Sequence, residues 1–448
     1  MPSNRIPYIL YDIAEFINGR ACASGELGEK GFPVIKIGEL NNGIGPSTKH
    51  LASVPLDKHR IDTGDLLFAW SASVGIYHWT GGPAVLNQHI FKVQAREMVH
   101  QGYLRYLLTW LLPTFEGIVA DQATTMGHVK VADLKKLFVE LPDKTEQSQI
   151  ASVLGTLDDR IENLRATNKT LEAIVQTLFK SWFVEFDPVK AKVEGRAPAG
   201  MDAETAALFP SEFEDSELGP TPKGWAVDRL QEHLEVERGL SYKGAGLCNA
   251  DEGVPMHNLN SIFEGGGYKY AGLKHYKGDY KAKHTVVKGD ILVANTEQGH
   301  EHRLIGSPAI VPRRYSDGIF SQHVYRVRFK AGSPLETQFL FWTLRSPAVR
   351  EQIIGCCNGS TVNMLSRAGL EIPQFRVPPR RLISKFEEIA ASTAAVIEHN
   401  IHEQETLSAF RDSLLPKLIS GAIRLPDFRD NCRAGGGLLK PVQKSKSK

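Results

Sequence analysis

Several ingredients of common protein classes are scarce in this chain of 448 residues. Its five cysteines form no C-x-x-C pair, so neither a disulfide framework nor a structural zinc site is expected, and a reducing cytoplasm is favoured. No apolar run approaches ~18 residues and no apolar stretch follows the first residues, so we expect neither membrane insertion nor export. The net charge of +2 excludes a uniformly basic, histone-like DNA binder but leaves room for local basic faces.

Sequence signatures of catalysis are missing as well. There is no G-x-x-x-x-G-K-[ST] loop for ATP, and no glycine-rich turn follows a strand as nucleotide cofactors require. The stretch Phe186-Asp187-Pro188-Val189 lacks the second proline and the aromatic residue of the acidic-Pro-Pro-aromatic motif of adenine methyltransferases. No nucleophile–base pair and no metal ligand set is evident. We therefore expect no catalytic residues, no metal and no cofactor in this chain.

What the sequence does contain is a long internal repeat. Two motifs recur in the same order: Gly64-Asp65-Leu66-Leu67 as Gly289-Asp290-Ile291-Leu292, and Gln88-His89-Ile90-Phe91-Lys92-Val93 as Gln322-His323-Val324-Tyr325-Arg326-Val327. The period of about 235 residues is far above that of solenoid repeats. A duplicated domain is therefore predicted.

Each copy ends in a helix with a heptad pattern. In the first helix, apolar residues and one asparagine recur alternately every four and three residues: Ile150, Leu154, Leu157, Ile161, Leu164, Asn168, Leu171, Val175, Leu178 and Trp182. The second stripe is weaker and is interrupted by Asn400 and Gln404: Phe386, Ile389, Val396, Ile397, Leu407, Phe410, Leu414 and Leu418. One such helix alone is also compatible with a domain core. Two at equivalent positions predict an antiparallel, coiled-coil-like pair.

The predicted fold class is mixed α/β, with two globular domains separated by the two long helices. The predicted segments are domain 1 (1–145), helix 1 (146–186), a linker (187–222), domain 2 (223–380), helix 2 (381–424) and a basic, disordered tail (425–448). The linker is assigned on its five prolines and its eight acidic against three basic residues.

A basic stretch of the second copy suits contact with phosphates. Residues 265–330 contain 12 lysines and arginines but five acidic residues, interleaved with tyrosines. The candidate phosphate contacts are Lys269, Lys274, Lys277, Lys281 and Lys283. A solvated basic hairpin is the alternative interpretation.

Short polar loops follow the equivalent strands of both copies and could reach base edges. In the first copy the candidates are Trp70, Ser71, Ser73, Gln88, His89, Thr124 and Thr125. In the second copy they are Asn295, Thr296, Glu297, Gln322, His323, Ser360, Thr361 and Asn363. For the two histidines a structural role is an equally open interpretation.

The duplicated order of these motifs resembles the DNA-specificity subunit of type I restriction–modification systems. The resemblance spans nearly the whole chain and includes Pro222-Lys223-Gly224-Trp225 and Leu414-Leu415-Pro416-Lys417-Leu418-Ile419-Ser420-Gly421. It implies two target-recognition domains that each read half of a bipartite double-stranded DNA site. It also implies helices that dock two methyltransferase subunits, with restriction–translocation subunits joining them. S-adenosylmethionine and ATP with magnesium would then be bound by those partners.

Two other functions remain open at this point. A fused methyltransferase–recognition enzyme would need the cofactor and catalytic motifs that the sequence lacks. A stand-alone protein that bridges or regulates DNA with the same two domains would not need them. Methyltransferase and helicase–nuclease genes beside the gene of this chain would favour the restriction system.

Overall fold

The computed structural model describes residues 5–71, 73–121, 127–299, 301–359 and 362–425. The chain divides into a first unit, residues 1–164 with 403–448, and a second unit, residues 165–402. No helix of the described ranges is long and apolar enough to cross a membrane.

In its described residues, the first unit contains three sheets. Its strands are β1 Ile6–Ile9, β2 Ala14–Asn18, β3 Leu27–Gly28, β4 Phe32–Ile35, β5 His50–Leu51, β6 Arg60–Ile61, β7 Leu66–Ala69, β8 Gly75–His78, β9 Ala84–Leu86, β10 Ile90–Ala95 and β11 Phe138–Leu141. Its helices are α1 Leu10–Ile13, α2 Ile37–Asn42, α3 Gln101–Trp110, α4 Leu112–Ala120, α5 Val131–Leu134 and the start of α6 Lys144–Phe179. The sheets have the strand orders β2-β10-β7-β8, β3-β5-β4-β9-β6 and β1-β11. The core packs Phe68 of β7 against Tyr103 and Phe115 of the helices.

The second unit contains a longer set of elements. Its strands are β12 Phe213–Glu214, β13 Thr221–Pro222, β14 Ala226–Arg229, β15 Leu234–Arg238, β16 Leu247–Cys248, β17 Val254–His257, β18 Lys274–Tyr276, β19 Ile291–Ala294, β20 Thr296–Gln298, β21 Pro308–Ile310, β22 Ile319–Phe320, β23 Val324–Phe329, β24 Cys357–Asn358, β25 Val362–Leu365 and β26 Gln374–Val377. Its helices are α7 Asp187–Val193, α8 Ala203–Ala207, α9 Leu230–His233, α10 Thr337–Arg345, α11 Pro347–Gly355, α12 Arg367–Glu371 and most of α13 Arg380–Ile419.

The same architecture occurs in both units, as the sequence repeat predicts. The order β2-β10-β7-β8 corresponds to β15-β23-β19-β21, and the pair β1-β11 corresponds to β14-β26. The parallel pair β4-β9 corresponds to the parallel pair β17-β22. Two equivalent glycines also lie equally close to a neighbouring backbone. A Cβ atom added to Gly19 would lie 2.2 Å from the Asn87 carbonyl oxygen. A Cβ atom added to Gly239 would lie 2.2 Å from the Ser321 carbonyl oxygen. The duplicated mixed fold is thus confirmed.

The repeated Gly-Asp motif has a structural role in each unit. The glycines have φ of 100° and 87°, a backbone region that favours glycine. The aspartate that follows accepts a hydrogen bond of 2.8 Å from the backbone N–H three residues earlier. Asp65 also pairs with Lys92 at 2.8 Å, and Asp290 with Arg328 at 2.7 Å. Each pair ties the turn before β7 or β19 to the neighbouring strand.

In the first unit, α6 and α13 run antiparallel over residues 144–164 and 403–419. The carboxylate of Asp158, which is buried, receives hydrogen bonds of 2.7 Å from Arg105, Tyr106 and Arg411. A buried carboxylate is tolerated when its oxygens are paired in this way. This network fastens both helices to α3.

In the second unit, the same two helices pack over residues 165–179 and 380–402. The Nδ2 atom of Asn400 donates to Oδ1 of Asn168 at 2.7 Å, and Nδ2 of Asn168 donates to the Ile397 carbonyl oxygen at 3.4 Å. Further along, the rings of Phe179 and Phe386 lie 5.5 Å apart. Asn400 is therefore part of the packing, and its prediction as a break in the stripe is wrong, because Asn168 satisfies its buried amide.

The helix residues of the heptad pattern differ in their exposure. Buried members are Ile150, Leu154, Ile161, Leu164, Val175, Trp182, Phe386 and Leu418; half-buried members are Leu157, Asn168, Leu171, Leu178, Ile389, Ile397, Leu407 and Leu414. Val396 and Phe410, which the pattern placed on the packing face, are 48% and 53% exposed. Their placement on that face was wrong.

The segment that the sequence predicted as a linker is folded, which corrects that interpretation. A short π-helix, Lys180–Val184, follows α6, and residues 187–222 then form α7, α8, β12 and β13. Val189 and Phe209 are fully or almost fully buried in the core of the second unit. The prolines and acidic residues of this segment predicted a linker. The segment folds because burial of its apolar side chains against the core of the second unit stabilises it. Of the predicted tail, only Leu425 lies within the described residues.

Candidate nucleic-acid interface

In the first unit, the loop after β7 is fastened to the turn before β10. The backbone N–H of Trp70 donates to the His89 carbonyl oxygen at 3.3 Å, and Val129 N–H donates to the Trp70 carbonyl at 3.0 Å. The indole ring lies 5.7 Å from the His89 ring and 5.5 Å from the His128 ring, centroid to centroid. Ser71 is buried and forms a β-bridge with His128. An aromatic and two imidazoles thus meet at one edge of the sheet.

The second unit uses the same backbone frame with different side chains. Asn295 takes the place of the tryptophan: its N–H donates to the His323 carbonyl oxygen at 3.1 Å, and its carbonyl accepts from Leu365 N–H at 2.9 Å. Its side-chain amide donates to the Gln322 carbonyl oxygen at 3.0 Å. Thr296 Oγ1 lies 3.2 Å from His323 Nδ1. Here a hydrogen-bonded polar cluster replaces the aromatic one.

The two Gln-His turns are alike in conformation. The Nε2 atoms of Gln88 and His89 lie 3.3 Å apart, and so do those of Gln322 and His323. Gln88 and His323 are exposed, whereas His89 and Gln322 are half-buried. A glutamine amide presents a donor and an acceptor side by side, as recognition of an adenine edge requires. These turns are the best-matched candidate base contacts of the two units.

Glu297, which stays a predicted base contact, also organises its own loop. Its carboxylate accepts hydrogen bonds from the backbone N–H groups of Arg303, Leu304 and Ile305, at 3.0, 3.0 and 2.8 Å. Arg350 holds the same loop by donating to the carbonyl oxygens of three of its residues. Burial lowers the pKa of the Arg350 guanidinium, while the nearby Glu297 carboxylate raises it. Sequence reasoning missed Arg350, since no motif marks it.

Several other candidates are turned inward. Ser71, Asn295, Thr296 and Asn363 are buried, and the Asn363 amide donates to the Gly299 carbonyl oxygen. Ser73 is exposed. Thr124, Thr125, Ser360 and Thr361 lie outside the described residues. The buried side chains are placed to shape the loops more than to meet a ligand directly.

The five candidate lysines differ in how far their charges are compensated. Lys277 pairs with Glu252 and Lys283 with Glu237, each at 3.0 Å. Lys269 is exposed, with its ammonium 5.9 Å from the centre of the Phe263 ring. Two further lysines, half-buried Lys274 and exposed Lys281, form no ion pair within the described ranges. A phosphate can therefore approach them without displacing a carboxylate.

Comparison with known proteins gives one consistent result. Residues 7–173 match the family model of the type I restriction modification DNA specificity domain. The chain is 26% identical to the type I restriction enzyme MjaIX specificity subunit of Methanocaldococcus jannaschii, over 82% of this chain and 79% of that relative. It is 23% identical to the type I restriction enzyme HindI specificity subunit of Haemophilus influenzae, over 69% and 74% of the two chains.

A solved structure supports the same fold. The crystal structure of the type I restriction–modification system S subunit from M. genitalium superposes with a TM-score of 0.56 at 14% identity, covering 93% of this chain and 96% of that one. The repeated sheets, the two long helices and this structural match define the class of fold: a duplicated specificity-domain fold with two long helices. The chain is therefore similar in sequence to type I restriction–modification specificity subunits, and its fold resembles that of a solved S subunit.

Proposed function

We propose that this chain is the non-catalytic DNA-recognition subunit of a type I restriction–modification complex. Each unit supplies one target-recognition domain, and together they bind a bipartite double-stranded site. The observation that carries the proposal is the matched Gln-His turn, held in both units by the same backbone frame. Direct reading of bases needs such side chains fixed at the edge of a rigid scaffold.

The two half-sites should differ in sequence. Around the shared turn, the first unit presents Trp70 and its stacked histidines, while the second presents the polar cluster of Asn295 and Thr296. Different donors, acceptors and apolar surfaces favour different bases. With half-sites about one helical turn apart, the gap of unread bases is roughly 5–8 base pairs.

The chemistry of the complex would reside in other subunits. Two methyltransferase subunits would dock on this chain and bind S-adenosylmethionine, and restriction–translocation subunits would bind ATP with magnesium. The contribution of this chain would be to orient them on the site, in the cytoplasm where the DNA lies. Holding an enzyme and its substrate in the right geometry supplies a large part of catalysis, because it converts a reaction between separate molecules into a reaction within one complex.

Co-expression with the cognate methyltransferase subunit, followed by genome-wide mapping of methylated adenines, tests the proposal. We expect one asymmetric, bipartite motif that depends on both chains. A continuous motif, a perfect palindrome, or methylation by this chain alone with S-adenosylmethionine would contradict it. Tight binding of a bipartite site without any effect on methylation would favour a stand-alone DNA-bridging protein.

A further inference from the structure

A further repeated motif surrounds the parallel strand pair of each unit. Two lysine-histidine dipeptides stand nine residues apart and precede the Gly-Asp turn by four residues, so both copies have the pattern K-H-x7-K-H-x4-G-D. The dipeptides are Lys49-His50 and Lys58-His59 in the first unit, and Lys274-His275 and Lys283-His284 in the second. None of the seven residues between the dipeptides is identical in the two copies. A general resemblance of the two segments therefore does not account for the recurrence.

The structure places the first dipeptide at the same position of the sheet in both units. The sheets have matching strand orders, β3-β5-β4-β9 and β16-β18-β17-β22. His50 of β5 lies opposite Pro33 of β4, and His275 of β18 lies opposite Pro255 of β17. The lysines that precede the two histidines therefore occupy equivalent positions.

The second dipeptide ends a short 3₁₀ helix in both units, Asp57–His59 and Ala282–His284. Its histidines have a role within the fold. The Nδ1 atom of His59 lies 3.1 Å from the Asn18 carbonyl oxygen, and His284 is buried. The recurrence of the lysines needs a separate reason.

The two lysines of the first unit make no contribution of this kind. Lys49 and Lys58 are both exposed. Within the described ranges, neither side chain forms a hydrogen bond or an ion pair. Their ammonium groups are therefore accessible to an anion from outside the chain.

In the second unit, the counterpart of Lys58 is neutralised. Lys283 pairs with Glu237 at 3.0 Å. The first unit has Ile17 at the position of Glu237, because both residues lie opposite the basic residue of the repeated Gln-His motif on β10 and β23. Lys58 therefore lacks the carboxylate that compensates its counterpart.

Local free charges can bind DNA even though the first unit has no excess of basic residues, with 13 basic and 13 acidic residues in 1–142. The DNA backbone presents a regular row of phosphates whatever the sequence, whereas base edges differ from site to site. Residues that contact phosphates can thus stay the same in both units while the base-reading loops diverge. The recurrence of the lysines among unrelated residues has this pattern.

We propose that Lys49 and Lys58 bind phosphates of the DNA backbone beside the half-site of the first unit, and that Lys274 is the matching contact of the second unit. This inference rests on the proposed function in DNA recognition. It adds a phosphate-binding element to the unit in which the sequence shows no basic stretch. A phosphate can approach the two ammonium groups without displacing a described carboxylate, and binding releases counterions of the DNA.

Salt titrations test the proposal in the complex of this chain with its methyltransferase subunits, on a duplex that carries both half-sites. Lys49→Ala and Lys58→Ala should each lower the slope of log K against log salt by about 0.9, and the double variant by about 1.8. Lys58→Arg keeps the charge and should keep the slope. Lys136→Ala is the matched control and should change nothing, since Lys136 is an exposed lysine of the same unit outside the repeated motif. Selection from randomised DNA should give every variant the base preference of the unmodified chain.

Neutral methylphosphonate linkages, placed one at a time along the duplex, assign the contacts to a half-site. At a contacted phosphate, the affinity that Lys58→Ala loses on the normal duplex should not be lost again on the modified one. The couplings of Lys49 and Lys58 should fall in or beside one half-site, and the coupling of Lys274 in or beside the other.

This inference and the proposed function fail in different ways. A complex that binds its bipartite site with a steep salt dependence, but keeps that slope in both alanine variants, would overturn the inference and leave the proposed function intact. Coupling of Lys49 and Lys274 to the same half-site, or an altered base preference in either alanine variant, would overturn it as well. Absence of bipartite binding by the unmodified complex would overturn the proposed function, and this inference with it.

Discussion

At the scale of single residues, the Gln-His turns give the sharpest test of base recognition. Gln88→Ala should relax discrimination at one position of the first half-site, and Gln322→Ala at one position of the second. Loss of a bidentate amide contact should cost about 1–3 kcal/mol against the wrong base. Binding selections from randomised DNA, read out by sequencing, measure the change at each position.

Gln94→Ala is the matched control, because this exposed glutamine lies on β10 beyond the turn. It should leave both half-sites unchanged. If Gln88→Ala altered the second half-site, or if neither turn variant changed any position, the turns would not be the reading elements.

The lysines should act on affinity without acting on sequence preference. Lys281→Ala removes a charge that no described carboxylate compensates, so binding to every DNA should weaken and the slope of log K against log salt should fall by about 0.9. Lys277→Ala is the control, since its ammonium is paired with Glu252 and should contribute less. Titrations at several salt concentrations give both slopes. Equal effects of the two variants would contradict this ranking.

Glu387 should make the stability of the second unit depend on pH. Its carboxylate, on α13, accepts hydrogen bonds from the N–H groups of Gln338 and Phe339 at the start of α10. Burial raises the pKa of Glu387 from 4.5 to about 7. Between those values the folded chain keeps a proton that the unfolded chain has lost. The free energy of unfolding should therefore fall as the pH rises from 4.5 to 7 and then stay level.

Urea unfolding at pH 5 and pH 8, followed by tryptophan fluorescence, measures this dependence. Glu387→Gln keeps the hydrogen-bond acceptor without a charge and should flatten it, whereas Glu388→Gln at the exposed neighbouring position should not. An unchanged pH dependence in the Glu387 variant would show that another group titrates.

At the scale of elements, the paired amides of α6 and α13 should behave as one unit. Asn168→Leu alone leaves the buried amide of Asn400 without its partner, and we expect a loss of about 1–3 kcal/mol in the free energy of unfolding. Replacing both asparagines by leucine should be close to neutral, because no unsatisfied polar group then remains. A double-mutant cycle by urea unfolding measures the coupling. Additive losses would contradict the pairing.

At the scale of the whole molecule, we expect the length of the helix pair to set the gap between the half-sites. Seven residues inserted after Leu171, matched by seven after Val396, lengthen both helices by about 10 Å. The preferred gap should then grow by about three base pairs, with both half-sites unchanged. Insertion in one helix only is the control and should abolish binding, because the two helices then differ in length by about 10 Å and the layers beyond the insertion no longer pair. Methylation mapping of the variant complex measures the gap. An unchanged gap, or a change in either half-site, would contradict this prediction.

Much of this fold was predictable because its signals are local or periodic. Asp65 and Asp290 each close a turn of four residues, so the turn can be recognised from a short stretch of sequence. The heptad stripe of α6 predicts a packed helix from spacing alone, and its recurrence in α13 predicts the antiparallel pair. The family resemblance rested on the order of such signals, which survives divergence of the loops.

Only the tertiary structure decided where polar and linker-like residues face. The sequence does not indicate that the Glu297 carboxylate accepts hydrogen bonds from three backbone N–H groups of its own loop. Asn400 reads as a break in a helix stripe until Asn168 is placed opposite it. Val189 lies among prolines and charges but is fully buried against a distant core. In each case the contact partner of the residue is remote in sequence or lies in a loop without a recognisable motif. The hydrogen bond or apolar contact forms only when folding brings the residue and its partner together.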